Sequence, residues 1–443
     1  MKKVVKFGGS SLADAEQFQK VKAIVQDEDV RRYVIPSAPG KRHDNDTKVT
    51  DLLYLCYEQV EAGENFKELL STIQERYEAI IRDLDLDLSL AREFEKIKEQ
   101  FLKKAGADYA ASRGEYLNGI ILANYLGIPF VDAADVICFR KDGSLDEDKT
   151  DAFLYERLSN LEYAVIPGFY GKAHGGGVKT FSRGGSDITG ALVAKAVRAD
   201  VYENWTDVPG FLVADPRVVD NPQVIETITY RELRELAYMG ATVLHDEAIF
   251  PVRQANIPIN IRNTNAPKGK GTLIVGSTCI RPKYTITGIA GRKGFVAINI
   301  DKAMMNAEIG FGRKVLQVFE DNGMSFEHMP SGIDTMTVFV HQEEFEHQEQ
   351  RIIAALYRSV EPDELEVEPD LALIAVVGRG MRATRGTAGR IFSALAHARV
   401  NVKMIDQGSS ELNVIIGVRN EEYERAVQAI YDIFVTAGIE VLP

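Results

Sequence analysis

At 443 residues the chain has room for roughly two to four domains with buried cores. Its 45% hydrophobic and 26% charged residues are those of an ordinary globular protein, which excludes a disordered or fibrous chain. The formal net charge of −13 argues against nucleic acid or an anionic membrane as the main partner, so an anionic substrate has to be held by local positive charge.

In chain order, residues 1–35 read strand, glycine turn, helix, strand. Val4-Val5-Lys6-Phe7 is a short buried strand, and Gly8-Gly9-Ser10-Ser11 is the turn. Asp14 to Val25 carries apolar residues at helical spacing, and Tyr33-Val34-Ile35 resumes a strand. A βαβ opening favours a parallel sheet covered by helices. Helical patterns dominate from 50 to 127, including Thr50–Glu61, Ala91–Lys104 and Tyr116–Leu126. Strands are expected at Pro129-Phe130-Val131, Ala164–Pro167 and Val201–Asn204, with a helix over Ser186–Ala199. Gly175-Gly176-Gly177 reads as a hairpin tip. No apolar run reaches membrane-spanning length. The N-terminus does not read as a signal peptide, because Val4-Val5 is followed at once by Lys6 and two glycines. Cys56, Cys138 and Cys279 lie far apart with no C-x-x-C pair, which points to a reducing cytoplasm without disulfides or a thiolate metal site.

Beyond residue 280 one unit occurs twice, at a spacing of about 75 residues. The first copy predicts strand 295–300, helix 312–322, strands 325–329 and 335–340, and helix 344–359. The second predicts strand 371–377, helix 388–398, strands 401–405 and 412–418, and helix 421–434. The Glu-rich stretch Glu361–Asp370 reads as their connection. This is the pattern of two duplicated small α+β domains.

The chemistry is concentrated where apolar runs end. Lys6 stands at the end of the first strand, before Gly8-Gly9, and open α/β sheets bind ligands outside the carboxyl ends of their strands. Glycines let backbone N–H groups approach phosphate, and a following helix N-terminus adds positive potential. A surface lysine before an ordinary tight turn would explain that motif alone as well. Arg183-Gly184-Gly185-Ser186-Asp187 repeats the geometry, with Asp187 in the first turn of a helix. Thr206-Asp207 closes a strand, and Asp215-Pro216-Arg217 follows; Asp207 and Arg217 suit nucleotide and metal contacts, although Asp-Pro-Arg is also a common turn. In Ser112-Arg113-Gly114-Glu115 the carboxylate suits a substrate amino group or, more simply, a helix start. Thr50 is either a hydroxyl donor to a substrate carboxylate or a helix cap. The seven histidines show no zinc-binding spacing, and His245 reads as structural.

Together, Lys6–Ser11, Ser112–Glu115, Pro167-Gly168-Phe169, Arg183–Asp187, Trp205–Gly210, Ala214–Arg217 and Val243-Leu244-His245 resemble, in order, the kinase motifs of the aspartate kinase family. Gln407–Glu411 resembles its second ACT domain. The resemblance spans nearly the whole chain. It implies an α/β amino-acid-kinase fold, a mainly parallel sheet between helices, over 1–282. Two ferredoxin-like α+β ACT domains follow, 283–365 binding the effector and 366–443. It implies ATP- and Mg²⁺-dependent phosphorylation of the side-chain carboxylate of L-aspartate to 4-phospho-L-aspartate, the entry to lysine, threonine and methionine biosynthesis. By position, Lys6, Gly8, Gly9 and Ser10 would meet the phosphates. Thr206, Asp207 and Arg217 would bind nucleotide, and Thr50, Glu115, Arg183, Gly184, Gly185 and Ser186 would hold aspartate. Lys6 and Asp187 would supply the catalytic charges, with no metal ligand directly assigned.

Three departures stand out. Ser182 replaces a usual glycine and Leu212 a frequent tyrosine. Thr242 replaces a lysine that often reaches ATP, with Lys268 or Lys270 as candidates to restore the charge. The stretch Lys41–Lys48 is also longer than in many members. Met305 to Gly312 (Met305, Glu308, Gly310, Phe311 and Gly312) with Ser325, Phe326 and Glu327 resembles the amino-acid effector site. Lysine is the expected effector, because Glu327 would pair with its ammonium, and threonine is the alternative. A homodimer or homotetramer through the ACT domains follows from the same resemblance. The competing readings are a kinase for another small acid, such as glutamate, and an amino-acid sensor whose kinase half is inactive.

Overall fold

The computed structural model describes residues 1–182, 184–241, 246–278, 282 and 284–436, with the backbone alone at 246 and 247. Its opening follows the sequence pattern. Strand β1 (Lys3–Phe7) leads through a single 3-10 turn, Gly9–Leu12, into helix α1 (Ala15–Asp27) and strand β2 (Arg31–Pro36). Asp14 starts α1 by accepting a hydrogen bond from the Gln17 N–H, which satisfies one of the helix's unpaired donors. Phe18, Val21, Ile24 and Val25 give the helix its buried stripe.

The chain forms two compact units. The first comprises Met1–Phe211, Val224–Tyr230 and Val243–Thr278; the second comprises Leu212–Gln223, Arg231–Thr242 and Cys279–Pro443. In the first unit, β1 and β2 join β3 (Ala164–Val165), β6 (Val201–Thr206), β7 (Thr227–Thr229), β8 (Ile259–Asn263) and β9 (Thr272–Val275) in a seven-stranded sheet of order β3-β2-β1-β6-β8-β9-β7. Every neighbouring pair is parallel except β8 with β9. A separate hairpin pairs β4 (Tyr170–Lys172) with β5 (Val178–Thr180) around the expected glycine tip. The helices are α2 (Val49–Ala62), α3 (Lys67–Asp83), α4 (Ala91–Leu102), α5 (Ala107–Leu126), α6 (Ala133–Val136), α7 (Glu147–Ser159) and α8 (Gly185–Ala196). The core joins Val5, Phe7 and Trp205 on the sheet to Leu53 and Tyr57 on α2, Tyr77 on α3, Phe101 on α4 and Leu117 and Ile121 on α5. Two expectations change. Pro129–Val131 contributes only an isolated bridge, Phe130 with Val165, because the chain touches the sheet edge and turns away. Ser112–Glu115 does not precede a helix but lies inside α5, so Glu115 is not a helix-start carboxylate.

Helix α9 (Tyr230–Tyr238) begins on the last residue of a first-unit segment, and α10 (Asp246–Gln254) belongs to the first unit. The second unit is built on two 14-residue strands, β10 (Gly288–Asp301) and β12 (Glu364–Val377). They pair antiparallel along almost their full length. With β11 (Thr335–His341), β13 (Met404–Asp406) and β14 (Asn413–Arg419) they form a five-stranded sheet of order β11-β10-β12-β14-β13. Its helices are α11 (Phe311–Asp321), α12 (Gln342–Glu346), α13 (Glu349–Val360), α14 (Thr387–His397) and α15 (Tyr423–Tyr431). The two stretches read as copies therefore share one sheet. The stretch read as a connection, 361–370, is instead mostly strand: from Glu364 on it belongs to β12, and Leu365 and Val367 turn toward the first half's core between exposed or half-buried glutamates. Ser325–Met329 is not a full strand; it makes a single bridge, His328 with Phe339. Among the described residues, no helix is long and apolar enough to cross a membrane. Cys56 is buried and Cys138 half-buried, both as free thiols; Cys279 lies outside the described residues.

Candidate active site

Strands β1, β2 and β6 lie side by side and parallel, with Phe7 opposite both Pro36 and Trp205. Their carboxyl ends therefore open at one edge of the sheet. A cleft of about 640 Å³ lies there, lined by Gly8, Gly9, Ser10, the segment Ser37–Asp44, Lys48, Thr50, Glu115, Thr206 and Asp207. Seven of the candidates read from the sequence thus share one cleft.

The phosphate-type cradle is made by two glycine-containing segments in contact. Gly40 N–H donates to Gly9 C=O at 2.8 Å. A Cβ on Gly40 would stand 2.5 Å from Gly9 C and 2.6 Å from Ser10 N, so this position admits no side chain. Gly8 N–H is already used, on Trp205 C=O at 3.0 Å. The N–H groups of Gly9 and Ser10, at the start of the 3-10 turn, make no protein hydrogen bond among the described residues. They are the donors left for an anion.

Lys6 ends buried beside this cradle, with its Nζ 2.7 Å from Asp187 Oδ1. Asn204 joins the pair: its Nδ2 donates to Asp187 Oδ1 at 2.9 Å, and its Oδ1 accepts from Lys6 Nζ at 3.4 Å. Asp187 sits in the first turn of α8, and Ser186 and Gly185 are buried there. A Cβ at Gly168 would fall 2.6 Å from the Ser186 side chain, and one at Gly185 would strike Phe169. The Pro-Gly-Phe segment and the glycine pair are thus packed backbone to backbone.

Glu115 is the most unusual group in the cleft. It is 5% exposed and sits deep in α5. Burial pushes its carboxyl up to about 8, against the opposing pull of the Ala38 N–H and of Arg113. Its Oε2 is buried without a hydrogen-bond partner. A ligand ammonium is the group that would satisfy it. Thr50, in the first turn of α2, lies beside Gly114, whose missing side chain leaves room for Ala38.

The remaining candidates are dispersed. Thr206 donates to Asp207 Oδ1 at 3.1 Å on the cleft wall. Arg217 belongs to the second unit, where it grips Asp215 at 2.6 Å and is exposed. Lys268 and Lys270 are exposed and outside the lining of the cleft. Arg183, Thr242 and Val243-Leu244-His245 lie outside the described residues. The sequence reading missed Asn204 and the Ser37–Gly40 segment. Both carried a signal: a polar residue inside an apolar strand, and a Ser-Ala-Pro-Gly run directly after a strand.

In the second unit, Met305 and Phe311 are core residues, and Phe326 is exposed. Glu308 bridges Lys302 at 2.9 Å and Lys314 at 2.5 Å. Glu327 is not open to solvent. Its side chain is 9% exposed and lies 3.1 Å from His341 Nε2.

Comparison with known proteins agrees with this geometry. Residues 1–263 match the amino acid kinase family and residues 374–434 an ACT domain. The chain is 42% identical to Aspartokinase 3 of Bacillus subtilis, over 98% of each chain. It superposes on the aspartate kinase of Clostridium acetobutylicum with a TM-score of 0.89 and 52% identity, covering 98% of this chain and 100% of that one. Aspartokinase III of Escherichia coli, solved with aspartate and ADP and again with lysine and aspartate, matches with a TM-score of 0.71 and 26% identity over 98% of this chain and 99% of that one. The chain belongs to the amino acid kinase family, among its aspartokinases.

Proposed function

We propose that this aspartate kinase transfers the γ-phosphoryl group of ATP to the side-chain carboxylate of L-aspartate in the cleft at the ends of β1, β2 and β6, giving 4-phospho-L-aspartate and ADP. The observation that carries the reading is the pairing, in one cleft, of an anion cradle with a buried, unpartnered carboxylate oxygen on Glu115. A substrate bearing both a carboxylate and an ammonium answers both features.

Lys6, Gly8, Gly9 and Ser10 are assigned to the phosphates, the free donors being those of Gly9 and Ser10. Thr206, Asp207 and Arg217 are assigned to the nucleotide, and Thr50, Glu115, Arg183, Gly184, Gly185 and Ser186 to aspartate. The aspartate side chain is a carboxylate at neutral pH, so it attacks phosphorus without a general base. One of its oxygens forms the new P–O bond as the bond to the β-phosphate oxygen breaks. Lys6 places a cation where negative charge accumulates, and Asp187 with Asn204 fixes its direction. Mg²⁺, bound to the nucleotide, would neutralise phosphate charge; Asp187 and Asp207 are the carboxylates this chain offers toward it.

The division into a catalytic domain over 1–282 and ACT domains over 283–365 and 366–443 is part of the same reading. So are a cytoplasmic location, an oligomer formed through the ACT domains, and inhibition by lysine, with threonine as the alternative effector. Support for lysine comes from the E. coli relative solved with that amino acid. A coupled ADP-release assay with aspartate, with glutamate and without acceptor tests the reading. ADP release that needs aspartate is expected; equal rates with glutamate, or none with either, would overturn it.

A further inference from the structure

Three segments meet aspartate in the reading above: the start of α2 with Thr50, the middle of α5 with Glu115, and the Gly184–Ser186 turn at the head of α8. α2 and α5 pack directly on each other in the core, and the chain that leads to the α8 turn is tied to α5 by a separate contact. That contact runs through one buried hydroxyl. Thr180, the last residue of β5, donates to Asp108 Oδ1 at 2.5 Å. Asp108 is in the first turn of α5, two turns before Glu115 and on the same helix face. Tyr54, one turn after Thr50 on α2, lines the same cavity as Asp108 and Thr180. Onward from Thr180 the chain reaches the glycine turn in a few residues. Phe181 N–H donates to Phe169 C=O, and a Cβ on Gly185 would strike both Phe169 and Phe181. Lys179 completes the attachment with a 3.0 Å ion pair to Asp108.

We propose that Thr180 is a positioning residue for aspartate, a hydroxyl junction that ties the head of α5 to the chain leading into α8 and so sets the spacing at which Glu115 and Gly184–Ser186 reach one molecule. The inference rests on the assignment of those segments to aspartate. Thr180 itself lies outside the lining of the catalytic cleft, so it acts through the segments it joins. The nucleotide cradle, at the ends of β1 and β2, is not attached to it. Loosening the junction therefore weakens aspartate and leaves ATP alone.

The test compares Thr180→Val, which keeps shape and removes the hydroxyl, with Thr180→Ser, which keeps the hydroxyl. Steady-state kinetics with both substrates are run beside Glu115→Gln. Thr180→Val is expected to raise KM for aspartate by roughly tenfold or more, with kcat and KM for ATP changed less than about threefold, the split expected when binding alone is lost. Thr180→Ser should return to within about threefold of wild type, since the donor is restored. Asp108→Ala, which removes the acceptor of the Thr180 hydroxyl, supplies the same readout, in the same direction, if Thr180→Val does not fold. Aspartate KM unchanged in Thr180→Val while Glu115→Gln raises it would overturn the junction and leave the site assignment standing. Equal rises in both KM values would reduce Thr180 to a general structural role and overturn it too. Unchanged aspartate KM in Glu115→Gln would remove the assignment itself, and the junction with it.

Discussion

Lys6 Nζ and Asp187 Oδ1 stand 2.7 Å apart at the end of the central strand, with both side chains largely buried. A buried ion pair is weak evidence for stability, since desolvation offsets much of its attraction. Its value here is directional. Asp187 holds a long, flexible cation at one point, Asn204 bonds to both members, and the free N–H groups of the Gly9-Ser10 turn lie on the same side. A preorganised charge of this kind acts on the transition state without having to reorient during the reaction.

Lys6→Met should therefore leave the fold in place and lower turnover by roughly a hundred- to a thousand-fold, the cost of removing one preorganised contact. Asn204→Ala should reduce turnover less, because the cation remains and only its partner is loosened. Both are read from kcat at saturating substrates, with circular dichroism to verify folding. A folded Lys6→Met enzyme with turnover within about threefold of wild type contradicts the assignment, given the magnitude expected.

Glu115 predicts a pH dependence of definite sign. Burial raises its carboxyl from the ordinary 4.5 to about 8, so in the free enzyme it is protonated through the neutral range. An ammonium ligand needs the carboxylate. The value of kcat/KM for aspartate should therefore climb with pH through about 8, and Glu115→Gln should flatten that rise while lowering the plateau. Stability runs the other way. A group whose folded value is raised contributes stability that is fully present below 4.5 and lost as pH rises through about 8. Within that window the ligand-free wild type should lose about 1.4 kcal/mol per pH unit relative to Glu115→Gln. Parallel stability curves for the two proteins would show that Glu115 does not titrate as described.

The βαβ opening and the helix after the glycine pair were legible because period and turn chemistry agreed locally. Two kinds of feature were not. Strand pairing across long distances leaves no local mark, so the single sheet built on β10 and β12 could not be read, even though Glu364-Leu365-Glu366-Val367-Glu368 alternates as a strand should. Contacts between segments are equally silent. Glu115 looked like a helix-start residue until α5 proved to begin at Ala107, and nothing local shows that the Gly8 N–H is taken by Trp205. Which donors remain free was equally unreadable.

Gly40 makes the cradle testable independently of charge. A Cβ there would press on Gly9 C and Ser10 N at 2.5 and 2.6 Å, both backbone atoms with no rotamer to escape into. Gly40→Ala should shift the Gly9-Ser10 turn and raise KM for ATP by roughly tenfold, a loss of about 1.4 kcal/mol. KM for aspartate should change far less. A larger effect on aspartate than on ATP would mean that this segment serves the acceptor and not the nucleotide.

Glu327 separates regulation from catalysis. If its carboxylate receives the ammonium of lysine, the amino acid must displace His341, whose Nε2 stands 3.1 Å from that carboxylate. Two substitutions then act with opposite sign. Glu327→Ala should keep catalytic turnover and need about tenfold more lysine for half inhibition, a loss of roughly 1.4 kcal/mol of binding. His341→Ala should need less lysine than wild type, because it removes a competitor while sparing the acceptor. Inhibition at a remote site requires lysine to bind two states of the protein unequally, and by linkage aspartate must then shift lysine affinity by the same factor. Activity measured against lysine concentration in the three proteins decides the matter. If both variants lose sensitivity alike, Glu327 and His341 form a structural pair and the effector carboxylate lies elsewhere.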